Sequence, residues 1–392
     1  MSTKPFRVAI AGGGIGGLAT ALALSKQGIA SDVYERRATF PEEGAGIQIG
    51  PNGTRILERL GVAKLLQTLA ATPDALSVRD GKTGRELTRL PLGEWIAERH
   101  GSPYWTAHRK DLHGALRQCA EADSLIQLRT GIEISSFTND NDGIRATSTE
   151  GEGIDASALV CADGLWSSLR NEIAPGVAPR PVGKAAFRSV TQADDLPPGL
   201  TPNAVHIWLA SGAHVVHYPV NAGRDIALVV IADDPLRDPG WDTSASAEAV
   251  REKVRDFANP LQALIAKAHD WRCWSLYTMP PLERWSKGRA VLLGDAAHPV
   301  LPFLAQGAVL ALEDAVTLAG CLSERRDGVA ASLQKYEQAR RQRVRRVAEA
   351  SQRNGRVYHM AGAAALARNT VMRLTPPTRV IAGFDWLYGW RL

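Results

Sequence analysis

The sequence predicts an α/β fold: a Rossmann-type dinucleotide-binding domain, interrupted by a β-sheet-rich α+β insertion and followed by C-terminal helices. Three observations carry this. A short apolar run, "FRVAIA" at 6–11, leads into Gly12-x-Gly14-x-x-Gly17, a helical pattern over 15–27, and "SDVYE", a second buried strand ending at Glu35. After Pro175 the Pro/Gly-rich "APGVAPRPVGK" gives way to β-like runs near 185–191, 203–210, 213–219 and 225–232. Beyond them "GRAVLLGDAAHP" reads as a final buried strand entering a loop, ahead of helices near 306–322 and 330–355.

The remaining elements follow in order. "ALSVRD", the turn "GKTG" and "RELTRLPL" predict a hairpin over 75–92, because two β-like runs flank a Gly-rich turn. Helical apolar spacing covers 110–122, strands follow near 124–128, 132–137, 143–149 and 158–162, and helical stretches lie near 243–257 and 260–268. Grouped by this texture, residues 1–74, 98–180 and 275–340 form the dinucleotide domain, 75–97 and 181–274 the substrate domain, and 341–392 a C-terminal helical segment. A chain of 392 residues suits two to three such units.

The net charge is +5, with much of the excess in "KYEQARRQRVRRVAEASQRNGR" at 335–356. That stretch predicts a helix with a solvated basic face. It lacks the aromatic interleaving or zinc-finger spacing of a nucleic-acid patch, so no nucleic-acid partner is expected. The modest positive excess agrees with an anionic substrate or cofactor. The four cysteines, Cys119, Cys161, Cys273 and Cys321, are scattered and make neither a disulfide framework nor metal-ligand spacing, so no metal is expected. The apolar stretch Val8 to Leu24 is broken by glycines and has no cleavage-type flank. We therefore expect no signal peptide, no membrane span and a cytoplasmic protein, monomer or homodimer.

In the glycine motif, Gly12 permits the tight turn, Gly14 lets backbone approach a pyrophosphate, and Gly17 lets the helix pack on the strand. The phosphate then lies at the helix N-terminus. Glu35 ends the second strand, where it can accept hydrogen bonds from a ribose. Arg36 and Arg37 follow it, yet the carboxylate ahead of them would repel a 2′-phosphate, which favours FAD or NAD over NADP.

Three further stretches choose among dinucleotides: "HRKDLHGAL" at 108–116, "VCADGLWSSLR" at 160–170 and "GDAAHP" at 294–299. With the glycine loop, in this order, they make the chain resemble the single-component flavoprotein aromatic hydroxylases. These are enzymes similar to salicylate hydroxylase, 3-hydroxybenzoate 6-hydroxylase and 6-hydroxynicotinate 3-monooxygenase, and the resemblance runs to the terminal "FDWLYGW". It implies FAD as cofactor, with Gly12, Gly14, Ile15, Gly16 and Gly17 around its ADP part and Glu35, beside Arg36, on the adenosine ribose. Arg109 would reach the ribityl–pyrophosphate region. Asp163 and Gly164 match a motif associated with the pyrophosphate and the NAD(P)H route, and Asp295 would bind the ribityl chain. Pro299 and the backbone of Ala305, Gln306 and Gly307 would lie against the isoalloxazine. Lys110 stands where the family commonly has Ala. A helix N-terminus near 306 suits this role, since its N–H groups stabilise the anionic end of a reduced flavin.

Other readings of these residues stay open. Asp295 and His298 could form an acid–base pair if both faced one reacting atom. Glu313 and Asp314 read most simply as first-turn or packing carboxylates. For the substrate, "SGAHVVHYPV" offers His214, His217 and Tyr218. On a strand His214 and Tyr218 share a face and His217 points away. The resemblance implies that His214 takes the phenolic proton, with Tyr218 beside it; an ordinary half-buried strand histidine is the alternative. Gln48 is implied as a polar residue facing flavin and substrate, or as a structural one. Pro302 and Phe303 would present an apolar wall, and because the hydroxynicotinate pattern has His at the Phe303 position, a benzenoid ring is favoured. Arg188 could meet a carboxylate bidentately or serve the domain interface.

The resemblance thus implies an FAD-dependent, NAD(P)H-consuming monooxygenase that hydroxylates a small aromatic acid of the hydroxybenzoate type through a flavin C4a-hydroperoxide. NADH or NADPH and O2 would be co-substrates, NAD(P)H binding only transiently, since no second dinucleotide motif is present. Hydroxylation of an N-heteroaromatic acid such as a hydroxynicotinate, a flavin or nicotinamide dehydrogenase without oxygen insertion, and a flavin-binding sensor are the alternatives.

Overall fold

The Arg7–Ala11 strand lies inside a six-stranded sheet, buried from Val8 onward. A parallel strand covered on both faces needs a continuous apolar run, which "VAIA" supplies. The structure, a computed structural model, describes residues 5–40, 45–140, 143–234 and 243–392. The sheet order is Ser286–Lys287, Ala290–Leu292, Ala158–Cys161, Arg7–Ala11, Ala30–Glu35, Ile126–Thr130, parallel except at its two-residue edge. The Ile15–Ser25 helix buries Leu18, Leu22 and Leu24 between this sheet and the Gly307–Ser323 helix, each side chain stabilising the fold by about 1.5–3 kcal/mol. The chain leaves Arg7–Ala11 toward Ala30–Glu35 on one side and returns as Ala158–Cys161 on the other. A crevice therefore opens at the carboxyl ends of these strands.

The second sheet has eight strands, drawn from 75–91 and 180–278. The hairpin Ala75–Asp80 and Glu86–Pro91 joins it by parallel pairing of Ala75–Asp80 with Ala204–Ala210. Cross-strand rows fix which residues share a face: His214 with Ile231 and Ala186, Val216 with Val229 and Arg188, Tyr218 with Ala227 and Val190. The opposite face carries Val215, Leu228, Val230, Phe187 and Trp208 under the helices Ala247–Lys253 and Asn259–Lys267. The first face looks inward, toward the dinucleotide sheet and the C-terminal helices.

Several elements depart from the sequence-based expectation. The helix expected over 243–257 is only Ala247–Lys253: Ser246 caps it by accepting from Ala249 N at 3.1 Å, and Thr243–Ser244 pairs instead with Arg272–Cys273. Strands Gly153–Ala156 and Arg272–Thr278 are additional. So is the helix Pro51–Leu60, which opens with proline at N1, where its fixed φ suits a helix start. The division at 340 falls inside one 30-residue helix, Val329–Tyr358.

That helix has the expected solvated basic face, with Lys335, Arg341, Arg345, Arg353 and Arg356 exposed, but two of its arginines depart from it. Arg340 is 1 % exposed, and it and Arg343 turn inward to Glu313 and Asp314. Arg343 further donates to the carbonyls of Trp386 and Leu387, and Arg346 stacks on Trp386 at 4.0 Å, so the same basic residues tie down the C-terminal tail.

Candidate functional site

The Gly-rich loop is built as its spacing requires. Gly12 has φ +107°, and a Cβ there would lie 2.4 Å from the Ala162 carbonyl oxygen; one at Gly17 would lie 1.9 Å from Gly12 O. A Cβ at Gly14 would meet nothing within 4 Å, so the chain there fronts open space at the N-terminus of Ile15–Ser25. Gly16 packs on Leu293. Glu35 accepts from Gly13 N and Arg37 N, each at 3.0 Å, one bond per carboxylate oxygen, which leaves lone pairs for a ribose. His113, not singled out by the sequence, donates to Gly13 O at 2.7 Å and holds the loop from behind. Arg36 lies at the rim beside Glu133.

A groove of about 190 Å³ runs between Gly12, Gly14, Glu35, Asp163 and Trp166. Asp163 Oδ1 is buried there without a hydrogen-bond partner, and desolvation pushes the carboxyl up against the pull of Ser167. An orphaned acceptor, a glycine open to the groove and a ribose acceptor are the features that a dinucleotide fills. A wider, open depression of about 450 Å³ beside Phe40, Arg117 and Glu121 holds none of the predicted residues.

Farther along, Arg109 opens the Arg109–Glu121 helix and faces Asp295. Asp295 reaches solvent through the cleft, yet protein surrounds it closely enough for desolvation to raise its carboxyl; Arg109 and His298 pull the other way. Pro299 is half-buried, and Ala305 takes a left-handed φ of 52°. That conformation costs a non-glycine residue on the order of 1 kcal/mol and turns the chain into the N-terminus of the 17-residue helix Gly307–Ser323. The first N–H groups of that helix, from Gly307, have no intrahelical acceptors and point at the loop. The Gln306 side chain turns away, accepting from Asn52 at 3.0 Å.

The loop rests on a buried charge network. His298 does not face Asp295; it donates to Asp314 at 2.6 Å and packs on Trp285. Asp314 also accepts from Gly294 N at 3.1 Å and from Arg340 at 2.7 Å. Burial opposes its ionisation, but His298 and Arg340 outweigh this and hold it at about 2. Glu313 is bound by Arg340, Arg343 and Asn52, each at 2.8 Å. Both acids lie in the second turn of the helix, fully buried, and no reading of them as first-turn residues holds.

On the inward sheet face His214, Val216, Tyr218 and Arg188 lie together, and His217 stacks on His206 at 4.5 Å on the other face. His214 and Tyr218, four residues apart, have Cα atoms about 13 Å apart along an extended strand, room for one small ring between their side chains. Phe303 packs on His214 at 5.5 Å and on Gly355, where a Cβ would lie 2.7 Å from its ring. Pro302 adjoins it. Burial pushes the Tyr218 hydroxyl up to about 12 against Arg188 and Gln48, so it stays protonated. Gln48 is pinned, hydrogen-bonded to Tyr218 and accepting from Tyr104 at 2.7 Å. Gly46 lets its strand approach, since a Cβ there would lie 2.7 Å from the Tyr218 ring. The guanidinium of Arg188 lies over Trp274 at 5.0 Å.

The structure adds residues that sequence reasoning did not find: Tyr104, Tyr358, His359 and Tyr388. Tyr104 and Tyr388 meet edge-on at 6.1 Å, and Tyr358 lies 5.2 Å from His214. Tyr388 alone had a sequence signal, the aromatic tail "FDWLYGW". No local pattern distinguishes Tyr358-His359 at a helix end.

Residues 6–351 match the family model described as FAD binding domain. The chain is 38% identical over 383 residues, 97% of each chain, to 3-hydroxybenzoate 6-hydroxylase 1 of Aquipseudomonas alcaligenes. It is 34% identical to 6-hydroxynicotinate 3-monooxygenase of Bordetella bronchiseptica, over 90% of this chain and 92% of that one. Among solved structures, Klebsiella pneumoniae HpxO complexed with FAD and uric acid superposes with a TM-score of 0.85 at 27% identity, covering 96% and 95% of the two chains.

Proposed function

The chain belongs to the FAD binding domain family and is a flavoprotein hydroxylase, and on that premise we propose that it hydroxylates a small aromatic acid bearing a phenol, of the hydroxybenzoate type, with NADH or NADPH and O2 as co-substrates. FAD is held by Gly12, Gly14, Ile15, Gly16 and Gly17 at its pyrophosphate, Glu35 at its ribose, Asp163 and Arg109 along the cleft, and Asp295 at the ribityl chain. Pro299 and the Ala305–Gln306–Gly307 backbone meet the ring. When bound and reduced by NAD(P)H, the flavin supplies an electrophilic oxygen derived from O2.

The protein's own residues prepare the other reactant. An electrophilic oxygen attacks an electron-rich ring fastest, so the phenol is best presented as phenolate. His214 is the base for it: burial first, then His359 and Lys184, hold its imidazole well below the usual range, so it is neutral at pH 7 with one ring nitrogen unprotonated. Tyr218, protonated, orients the ring by hydrogen bonding. Arg188 meets the substrate carboxylate, and Pro302 and Phe303 exclude water. The observation that carries this reading is the shared inward face of His214, Arg188 and Tyr218 beneath Phe303. An apolar ring at 303 favours a benzenoid substrate over a hydroxypyridine.

The test is a panel of hydroxybenzoates, aminobenzoates and hydroxypyridine carboxylates, scored by coupled NADH and NADPH oxidation under 18O2 with products identified by mass. A hydroxybenzoate that stimulates oxidation and gains one 18O atom is expected. Flavin reduction without labelled product from any ring would overturn the proposal.

A further inference from the structure

His214 is not an isolated base. Its Nδ1 lies 2.8 Å from His359 Nε2, and His359 Nδ1 lies 2.9 Å from Lys184 Nζ, which in turn pairs with Asp233. Along this series burial falls steadily: His214 is 1 % exposed, His359 is half-buried, and the side chains of Lys184 and Asp233 are 25% and 57% exposed. The chain of contacts therefore runs from the floor of the site to water. His359 ends the Val329–Tyr358 helix, where Arg368 donates to the carbonyls of Val357 and Tyr358, each at 2.9 Å, and fixes the helix end. The rings of His214 and Phe303 pack against it, and Tyr358 meets the His214 ring edge-on.

We propose that His359 is a proton-relay residue carrying the phenolic proton from His214 to the surface, and that Lys184 sets the direction of the relay. This rests on the reading of His214 as the base. The inventory of donors fixes the polarity. An ammonium only donates, so His359 Nδ1 accepts from Lys184; His359 then bears its proton on Nε2 and donates to His214 Nδ1. His214 bears its proton on Nε2, the nitrogen left for a ligand. Hydrogen bonds running inward in this way describe the state after the phenol has ionised, with His214 Nε2–H donating to the phenolate oxygen.

Proton release runs through the reverse polarity. Before transfer His214 carries its proton on Nδ1 and donates to His359 Nε2, and His359 Nδ1–H faces water or the Asp233 carboxylate. The phenol O–H bond breaks and an N–H bond forms at His214 Nε2. The Nδ1 proton of His214 passes to His359 Nε2, and the Nδ1 proton of His359 passes to water or Asp233. One proton leaves the substrate, one appears at the surface, both rings end neutral, and no electrons change hands. Lys184 then donates to the vacated Nδ1 and holds the chain inward. Neutral rings suit this exchange: burial first, then Lys184, lowers His359 to about 4 against Asp233. The charged groups facing the pair are Lys184 and Asp233 from the sheet and Arg368 from the Gly362–Leu374 helix.

The test compares His359→Gln, Lys184→Gln and His214→Gln in the FAD-loaded enzyme, with the most active hydroxybenzoate, between pH 6 and 10. His359→Gln should slow hydroxylation at pH 7 by about tenfold or more at unchanged substrate Kd, and recover as pH rises toward about 10, where phenols ionise without help. Lys184→Gln, at the exposed end and so independent of packing at His359, should show a smaller loss with the same recovery. His214→Gln should show the largest loss. A wild-type pH profile for both His359→Gln and Lys184→Gln, with His214→Gln slow, overturns the relay and leaves the base standing. A loss that is equal at every pH also overturns it, because a merely structural role has no reason to vanish at high pH. A wild-type rate for His214→Gln overturns the base reading itself.

Discussion

Two buried histidines stand on either side of the site, and the difference between them lies in their partners. His298 donates to Asp314, which Arg340 and Gly294 N also hold, while Glu313, Arg343 and Asn52 close the network. Every charge there is met by an opposite one, and the histidine acts as a strut. His214 instead meets a second imidazole and, through it, a half-exposed lysine. Burial of a histidine therefore says little about its role. What its second nitrogen leads to decides between holding a loop and moving a proton.

The contrast predicts that the two sides fail in different ways. Asp314→Ala removes one partner of a buried pair and leaves Arg340 and His298 undercompensated, which should cost about 3–5 kcal/mol. It should also loosen the loop carrying Asp295, seen as a lower Tm and as flavin fluorescence released on mild heating. A variant that keeps Tm and flavin would break the comparison, since His298 would then need another explanation.

Acid should reach the two sides in order. Burial first holds His206 and His359 at about 4, and His214 and His217 well below the usual range, whereas an unfolded imidazole titrates near about 6.5. Below that pH the unfolded chain binds protons that the folded one refuses, so stability should fall as pH drops from about 6.5 to 4. Asp314 has the opposite sign: its folded value near 2 lies below the unfolded one, so its contribution is intact above about pH 4 and is lost only as pH falls through about 2. Melting curves should thus show two acid steps. The double variant His206→Gln with His217→Gln, on the face away from the site, should flatten the first. An unchanged slope would take the buried histidines out of the account.

The smallest effect sharpens the separation of stability from rate. Ser246→Ala removes the helix cap on the outer layer and should cost about 1 kcal/mol with hydroxylation unchanged. A matching loss of rate would mean that the inner face depends on general stability, weakening any assignment made from slow variants there.

Legibility tracked the range of the forces involved. Gly12, Gly14, Gly17 and Glu35 could be read because a tight turn and a strand end are local: Gly12 and Gly17 answer steric demands set by the neighbouring strand and by the loop itself, and Gly14 leaves open space at the helix start. His214 and Tyr218 could be placed on one face because strand alternation needs no partner to be known. The basic stretch at 335–356 reads correctly as a helix with a solvated basic face, but the departure of two of its arginines from that face is not legible, for the converse reason. Composition shows charge, but only the packing of that helix against Gly307–Ser323 shows that Arg340 and Arg343 answer Glu313 and Asp314. The division drawn at 340 cuts a helix that the sequence itself predicts over 330–355 and that runs from Val329 to Tyr358.

By itself, then, the sequence determined the dinucleotide loop, the class of the fold and the face of the substrate strand, all consequences of backbone geometry over short spans. The tertiary structure alone decided what each buried polar group answers to. His214 and His359 lie 145 residues apart, Asn52 and Glu313 261 apart. A hydrogen bond in a desolvated interior depends on which groups the fold brings within about 3 Å, and separation along the chain carries no trace of that.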